Sequence, residues 1–287
     1  MKYLKAIVSL SKPNIILSVG ITGFTGMVIA ANGAPDFKST LFALIALMFS
    51  AAGSAMINNL IERENDELMK RLEGRVKALK LVGVKRLSCI AAFLITVALS
   101  ISFFLINYLN FILIILAIFS YTVYYTLFLK KSSPFGTVLG GIPGALPVII
   151  GYSAIHPQLF IGYVDVLVLF VFMMLWQPPH FWALAQYLSE DYKKGGFPVM
   201  PVVYGQEYTN YLISIYSLTL LPVSLYFWIV GLASNFYAVI AIILGIYFLY
   251  QVFISFKNKK FYKNVFISSI FYMLFINIFL SLDIIFF

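Results

Sequence analysis

Apolar residues along this chain gather into long runs separated by short polar stretches, and they do not alternate as strand residues would. An α-helix rises 1.5 Å per residue, so the hydrocarbon core of a bilayer takes about 20 apolar residues to cross. Measured with that ruler, the runs at 14–31, 40–59, 87–107, 109–129, 137–155, 163–186, 208–231, 235–256 and 264–286 are nine candidate spans. The pattern predicts an all-α integral membrane protein, one domain over 1–287 with nine transmembrane helices. No small-residue cleavage site follows the first run, so it is expected to stay as a helix rather than leave as a signal peptide. No long Arg- and Ser-rich transit segment is seen either, which favours a prokaryotic cell membrane.

Composition sharpens this. The chain is 62% hydrophobic and 11% charged, against roughly 45–50% apolar and 25% charged in soluble domains. A cytosolic enzyme, a disulfide scaffold and a disordered chain are all excluded. With Cys89 as its one cysteine and His156 and His180 as its two histidines, the chain has no internal disulfide and no multi-histidine metal centre.

The net charge of +9 is a topology signal once the charges are placed. The N-terminal lead, 60–86, 130–136, 187–207 and 257–263 hold 19 of the 20 Lys and Arg residues, leaving Lys38 alone on the other side. The positive-inside rule then puts the N-terminus in the cytoplasm and Phe287 outside. The lipid bilayer is an expected partner and nucleic acid is not. Most acidic residues share the basic side, and 60–86 and 187–207 mix both signs, which marks these two connections as the site.

The first connection, NNLIERENDELMKRLEGR, puts Asn58, Glu62 and Asp66 at i, i+4 and i+8. On a helix they share a face, drifting about 40° and rising about 6 Å per step. Like charges so placed repel, so a cation belongs between them. Two carboxylates and an amide suit Mg2+, which usually shares the oxygens of a substrate phosphate. Arg71 and Arg75 could take the remaining phosphate charge bidentately. A solvated helix extension is the bland alternative, but Asn58 lies at membrane depth, where polar groups are expensive and usually functional.

The second connection is reached through LWQPPHFWALAQYLSEDYKKGGFPVMPV. Pro178-Pro179 is expected to break the hydrogen-bond ladder and kink the helix. Unpaired backbone in a membrane must be buried in protein or line a cavity, so Trp176, Gln177, His180, Phe181 and Trp182 are expected around one. His180 is either a structural hydrogen-bonder or a contact to substrate or haem iron. Glu190 and Asp191 could hold a second metal ion. A third polar stretch ends the fourth run: Lys130 and Lys131 follow Tyr121, Tyr124 and Tyr125. These make either an aromatic belt with snorkelling lysines or a phosphate contact beside rings that stabilise an allylic cation. Gly140, Gly141 and Gly144 read as helix packing.

NNLIERENDELMKR with Arg75 resembles the NxxxDxxxD diphosphate motif of the UbiA superfamily of intramembrane prenyltransferases. LWQPPHFWALAQYLSEDYKKGGFPVMPVV is similar to the narrower pattern of its haem-farnesylating branch, as are SKPN, YTLFLKKSSPFGT and GALPVIIGY, so the resemblance covers about residues 10–205. It implies helices around a central cavity open to the cytoplasmic side. It also implies transfer of a farnesyl group from farnesyl diphosphate to a vinyl group of haem b, with water added to give haem O and diphosphate released. By position, Asn58, Glu62 and Asp66 fall on the Mg2+–diphosphate ligands, and Lys12, Arg71, Arg75, Lys130 and Lys131 on the phosphate-holding residues. His180 falls on the family's histidine near the haem, Trp176 and Gln177 are expected to bind haem with it, and His180 and Tyr125 are expected among the catalytic residues. A haem A synthase or a terminal oxidase is the implied recipient of the product.

Glu62 and Glu64 stand where the family motif commonly has Asp, and SEDYKKGG lacks the second DxxxD of the wider superfamily. A UbiA-type enzyme acting on a quinone precursor or a lipid is the alternative, and a secondary transporter a distant third. The chain beyond 208 is expected to form cavity wall and prenyl slot.

Overall fold

The computed structural model describes residues 2–158, 163–258 and 261–287, without the side chains of Lys131 and Thr137. Among the described residues all regular structure is helical. Helices α1 (Lys2–Leu10), α2 (Pro13–Ala31) and α3 (Phe37–Ile61) lead into a helical connection, α4 (Arg63–Glu67) and α5 (Glu73–Val82). Then come α6 (Val84–Ile101), α7 (Tyr108–Phe119), and the short α8 (Lys130–Ser132) and α9 (Gly136–Leu139) before α10 (Ile142–Ile155). Helix α11 (Val164–Tyr187) is followed by α12 (Ser189–Lys194) and α13 (Met200–Val203), and the chain closes with α14 (Gly205–Ile229), α15 (Asn235–Lys257) and α16 (Tyr262–Phe286).

Among the described residues, eight helices are long and apolar enough to cross a membrane: α2, α3, α6 extended to Ile106, α7 extended to Leu129, α11, α14, α15 and α16. The predicted run at 137–155 is divided. Gly140 and Gly141 separate α9 from α10, whose 14 residues span about 21 Å at 1.5 Å each. The expected interruption of the ladder at Pro178-Pro179 does not end the helix. Those prolines sit inside α11, which continues to Tyr187, so two N–H donors are lost without ending the helix.

Polarity runs inside out relative to a soluble protein. Phe104, Phe119, Ile243 and Phe271 are exposed on the outer surface, while Thr25, Asn110 and Asn277 are fully buried. Lipid is as apolar as leucine, so helices in a membrane are held by close packing and hydrogen bonds rather than by the hydrophobic effect. Both occur here. A Cβ on Gly26 would lie 2.0 Å from the Val148 oxygen, and one on Gly151 would lie 1.9 Å from the Gly23 oxygen, so α2 and α10 touch backbone to backbone. Asn110 on α7 donates to the Ile150 oxygen at 2.7 Å, and Thr25 donates to the Asn277 oxygen at 3.3 Å. The latter belongs to the seam where α16 packs on α2 and closes the bundle.

Candidate active site

A cavity of about 360 Å³ opens between α2, α3, α7, α9, α10 and α11, with the 62–75 and 192–199 stretches around its charged end. Asn58, Glu62 and Asp66 line it, as the one-face spacing predicted, and all three are buried. Each is met by a cation. Lys12 Nζ lies 2.5 Å from Asn58 Oδ1, Lys130 Nζ 2.5 Å from Glu62 Oε1, and Arg75 donates to Asp66 Oδ2 at 2.8 Å. Asn58 Nδ2 donates to Thr126 Oγ1 at 3.2 Å, which fixes the amide with its oxygen toward Lys12.

Four cations, Lys12, Arg71, Arg75 and Lys130, line the cavity against two carboxylates, and that surplus favours an anionic occupant. Burial, and then the nearby Arg75 and Lys130 charges, bring the Lys12 ammonium down to about 7. An anion arriving beside it reverses that effect. Lys12 also takes a left-handed backbone conformation, φ 58°, directly before Pro13. A side-chain-bearing residue held there costs about 1–3 kcal/mol, a kind of strain that clusters at functional sites.

Below the charges, α3 presents Leu47, Ser50, Ala51, Ser54, Ala55 and Asn58 to the cavity. These fall at i, i+3, i+4, i+7, i+8 and i+11, one helical face whose small middle residues leave a slot. Opposite runs a ten-residue π-helical segment, Ser120–Leu129, a rare geometry met mostly at functional sites. Thr126 Oγ1 donates to the Tyr121 oxygen at 2.7 Å within it. The wider turn brings Tyr121 and Tyr125 into the cavity as a stacked pair 6.1 Å apart, while Tyr124 is exposed outside.

Gly140 and Gly144, read above as packing residues, make room in the cavity wall. A Cβ on Gly140 would lie 2.2 Å from the Tyr125 ring, and one on Gly144 2.3 Å from Gln177 Oε1. Helix α11 adds Gln177, Phe181, Leu184 and Ala185 to the lining, and its Trp182 is there too.

Several expected residues lie elsewhere. Trp176 and His180 face α16 instead of the cavity. Trp176 Nε1 donates to the Ser269 oxygen at 2.7 Å, and His180 Nδ1 lies 2.8 Å from Ser269 Oγ. The imidazole is stacked between Trp176 and Phe266 at centroid distances of 4.5 and 4.6 Å. These contacts fit the structural hydrogen-bonder of the two readings. Glu190 is exposed, and Asp191 accepts the Arg71 backbone N–H at 3.4 Å, so neither lines the cavity as a second metal pair. Asp191 instead helps seat Arg71, whose guanidinium lies 4.8 Å from the Tyr192 ring centre. The Lys131 side chain falls outside the described residues.

Among the described residues none beyond 208 lines this cavity, whose lining ends at Val199, and the C-terminal helices pack behind α11 and α2. The sequence reading missed the α3 stripe, although the run SAAGSA carried the signal. It missed Phe197 too, whose ring lies 4.7 Å from Lys130 Nζ.

Among the described residues no three His, Cys, Asp or Glu side chains converge. Asn58, Glu62 and Asp66 nevertheless offer hard oxygen donors to one cavity end, a set that suits a cation completing its shell with substrate phosphate oxygens.

The UbiA prenyltransferase family matches residues 19–278 of the chain. The protoheme IX farnesyltransferase of Geotalea uraniireducens is 42% identical over 248 residues, covering 86% of this chain and 95% of that one. In fold, the chain resembles a structure of digeranylgeranylglyceryl phosphate synthase at TM-score 0.78 and 20% identity, covering 99% of each chain. It also resembles a UbiA homolog from Archaeoglobus fulgidus bound to DMAPP and Mg2+, at TM-score 0.64 and 17% identity, covering 98% of this chain and 99% of that one.

Proposed function

The chain belongs to the UbiA prenyltransferase family, and from that premise we propose that it transfers a farnesyl group from farnesyl diphosphate to a vinyl group of haem b. Water is added and haem O and diphosphate are the products. The observation that carries this reading is a cavity with a cationic end and an apolar slot, in a chain 42% identical to a protoheme IX farnesyltransferase.

Asn58, Glu62 and Asp66 would hold Mg2+ with the diphosphate, and the metal would supply positive charge to the leaving group. Lys12, Arg71, Arg75 and Lys130 bind the remaining phosphate oxygens. They stabilise charge that grows as the allylic C–O bond breaks, in a site sheltered from bulk water. The Leu47–Ala55 face of α3 receives the prenyl chain. The faces of Tyr121 and Tyr125 stabilise the allylic cation and keep water from capturing it. The haem vinyl approaches from the α11 wall at Gln177, Phe181 and Leu184, and its π electrons form the new C–C bond.

The basic connections support a charged end in the cytoplasm, with the N-terminus inside and Phe287 outside the cell membrane. Helices α9 and α10 together complete a ninth crossing. A haem A synthase or terminal oxidase takes the product.

The test is haem extraction from membranes of a host without its own haem farnesylation, expressing the wild type or Asp66→Ala. Haem b plus a hydrated farnesyl group, seen by mass spectrometry with the wild type and absent with the variant, is the expected result. Folded wild type that leaves only haem b when farnesyl diphosphate and Mg2+ are supplied would refute the assignment, and quinone precursors and lipids would be the acceptors to try.

A further inference from the structure

Adding water to the haem-side cation needs a group that holds the water in place, and the charged end of the cavity has its residues committed to phosphate. Gln177 lines the cavity from α11 and is only 4% exposed. Its Nε2 donates to the Gly141 oxygen at 2.8 Å and to the Met173 oxygen at 3.1 Å. Two carbonyl acceptors leave no ambiguity about which end of the amide is nitrogen. Oε1 therefore points the other way, over Gly144, and no donor among the described residues reaches it. Any side chain at 144 would fill that space. Pro143, Pro147, Ile150 and Phe181, which offer no side-chain hydrogen bond, line the same cavity. An amide oxygen that opens onto the cavity without a protein donor accepts from water, and a water molecule is the donor that fits it there.

We propose that Gln177 positions the water that captures the haem-side cation, and so decides whether the product is the alcohol or the alkene. This deepens the haem-farnesylating reading and rests on it. The C–O bond of farnesyl diphosphate breaks with its electron pair on diphosphate, and the vinyl π pair forms the bond to the farnesyl carbon. The vinyl carbon attached to the porphyrin is left positive. Water hydrogen-bonded to Oε1 presents its lone pair to that carbon, the C–O bond forms, and the released proton goes to the departing diphosphate. A neutral amide suits the task, because it accepts the water's O–H without carrying a charge that would trap the cation. Where no water is held, the cation loses a proton from the adjacent carbon, giving an alkene lighter by one water.

The ratio of alcohol to alkene in extracted haems reads this directly, and a merely structural role would not move it. Gln177→Met is expected to lower the ratio about tenfold, the factor one oriented hydrogen bond to a charge-bearing step is worth. Gly144→Ala, which displaces Oε1 while leaving its residue intact, should lower the ratio too and serves if Gln177→Met does not fold. An unchanged ratio in Gln177→Met, or in Gly144→Ala where that alone folds, would overturn the proposal with the haem reading still standing. No farnesylated haem from folded wild type would overturn both.

Discussion

Lys130 offers a perturbation with two opposite consequences. Its ammonium holds Glu62, whose side chain is 2% exposed, at 2.5 Å, while Lys130 itself is 24% exposed. Lys130→Met leaves a buried carboxylate without its partner. Breaking a fully buried pair this way costs about 3–5 kcal/mol. Partial exposure of the lysine and the nearby Lys12 and Arg75 screen the loss, so roughly 2 kcal/mol is expected here, below that range. The variant should unfold at a lower temperature.

A divalent cation should respond in the opposite sense. In the wild type it must displace Lys130 from Glu62, breaking a charge-assisted hydrogen bond worth about 1.5–3 kcal/mol. Diphosphate gives the displaced lysine a new partner, so metal and diphosphate should bind with strong positive coupling. Without the lysine, Mn2+ alone should bind roughly ten- to a hundred-fold more tightly, the factor that same range of energy represents. Its dependence on diphosphate should shrink accordingly. Mn2+ titration of detergent-solubilised protein, followed by electron paramagnetic resonance with and without inorganic diphosphate, measures both. Equal Mn2+ affinity in wild type and Lys130→Met, with coupling unchanged, would refute the idea that the lysine guards the carboxylate.

Three further outcomes are expected. His180→Ala removes a ring stacked between Trp176 and Phe266 and should cost about 2–4 kcal/mol of stability, as large-to-small core changes do. Haem binding and turnover per folded molecule should be unchanged, and loss of haem binding at unaltered melting temperature would contradict this placement. Ser54→Phe fills the buried slot on α3. It should depress kcat/KM for farnesyl diphosphate far more than for a shorter prenyl diphosphate, and equal losses for both would argue against the slot. Gly151→Ala would force a Cβ to 1.9 Å from the Gly23 oxygen. It should destabilise the α2–α10 contact by at least the 1–3 kcal/mol typical of overpacking, and thermal unfolding with an unaltered midpoint would show that the helices can separate freely.

What the sequence disclosed and what it withheld divide along a physical line. The apolar runs are visible because membrane burial acts on length, and the Asn58–Glu62–Asp66 face because i, i+4 spacing is local. The cations that meet those residues are another matter. Lys12 pairs with Asn58 across 46 positions, and Lys130 with Glu62 across 68. The sequence placed both lysines at the right end of the bundle without matching them to partners. The division of 137–155 was hidden because hydropathy averages over Gly140 and Gly141, while backbone geometry does not.

Helix α11 shows the limit most clearly. Trp176 and His180 are four apart, as are Gln177 and Phe181, so the helical period already sorts them onto two faces about 100° apart. Period alone cannot say which face meets the cavity, because a polar side chain inside a membrane has two ways to be satisfied: a protein partner or a ligand. His180 finds Ser269 on α16, 89 positions away, and Gln177 finds carbonyls for its nitrogen but nothing for its oxygen. The histidine is the more reactive group by type, yet the neighbour across the packing interface, and not the chemistry of the ring, decides that the amide is the one lining the cavity.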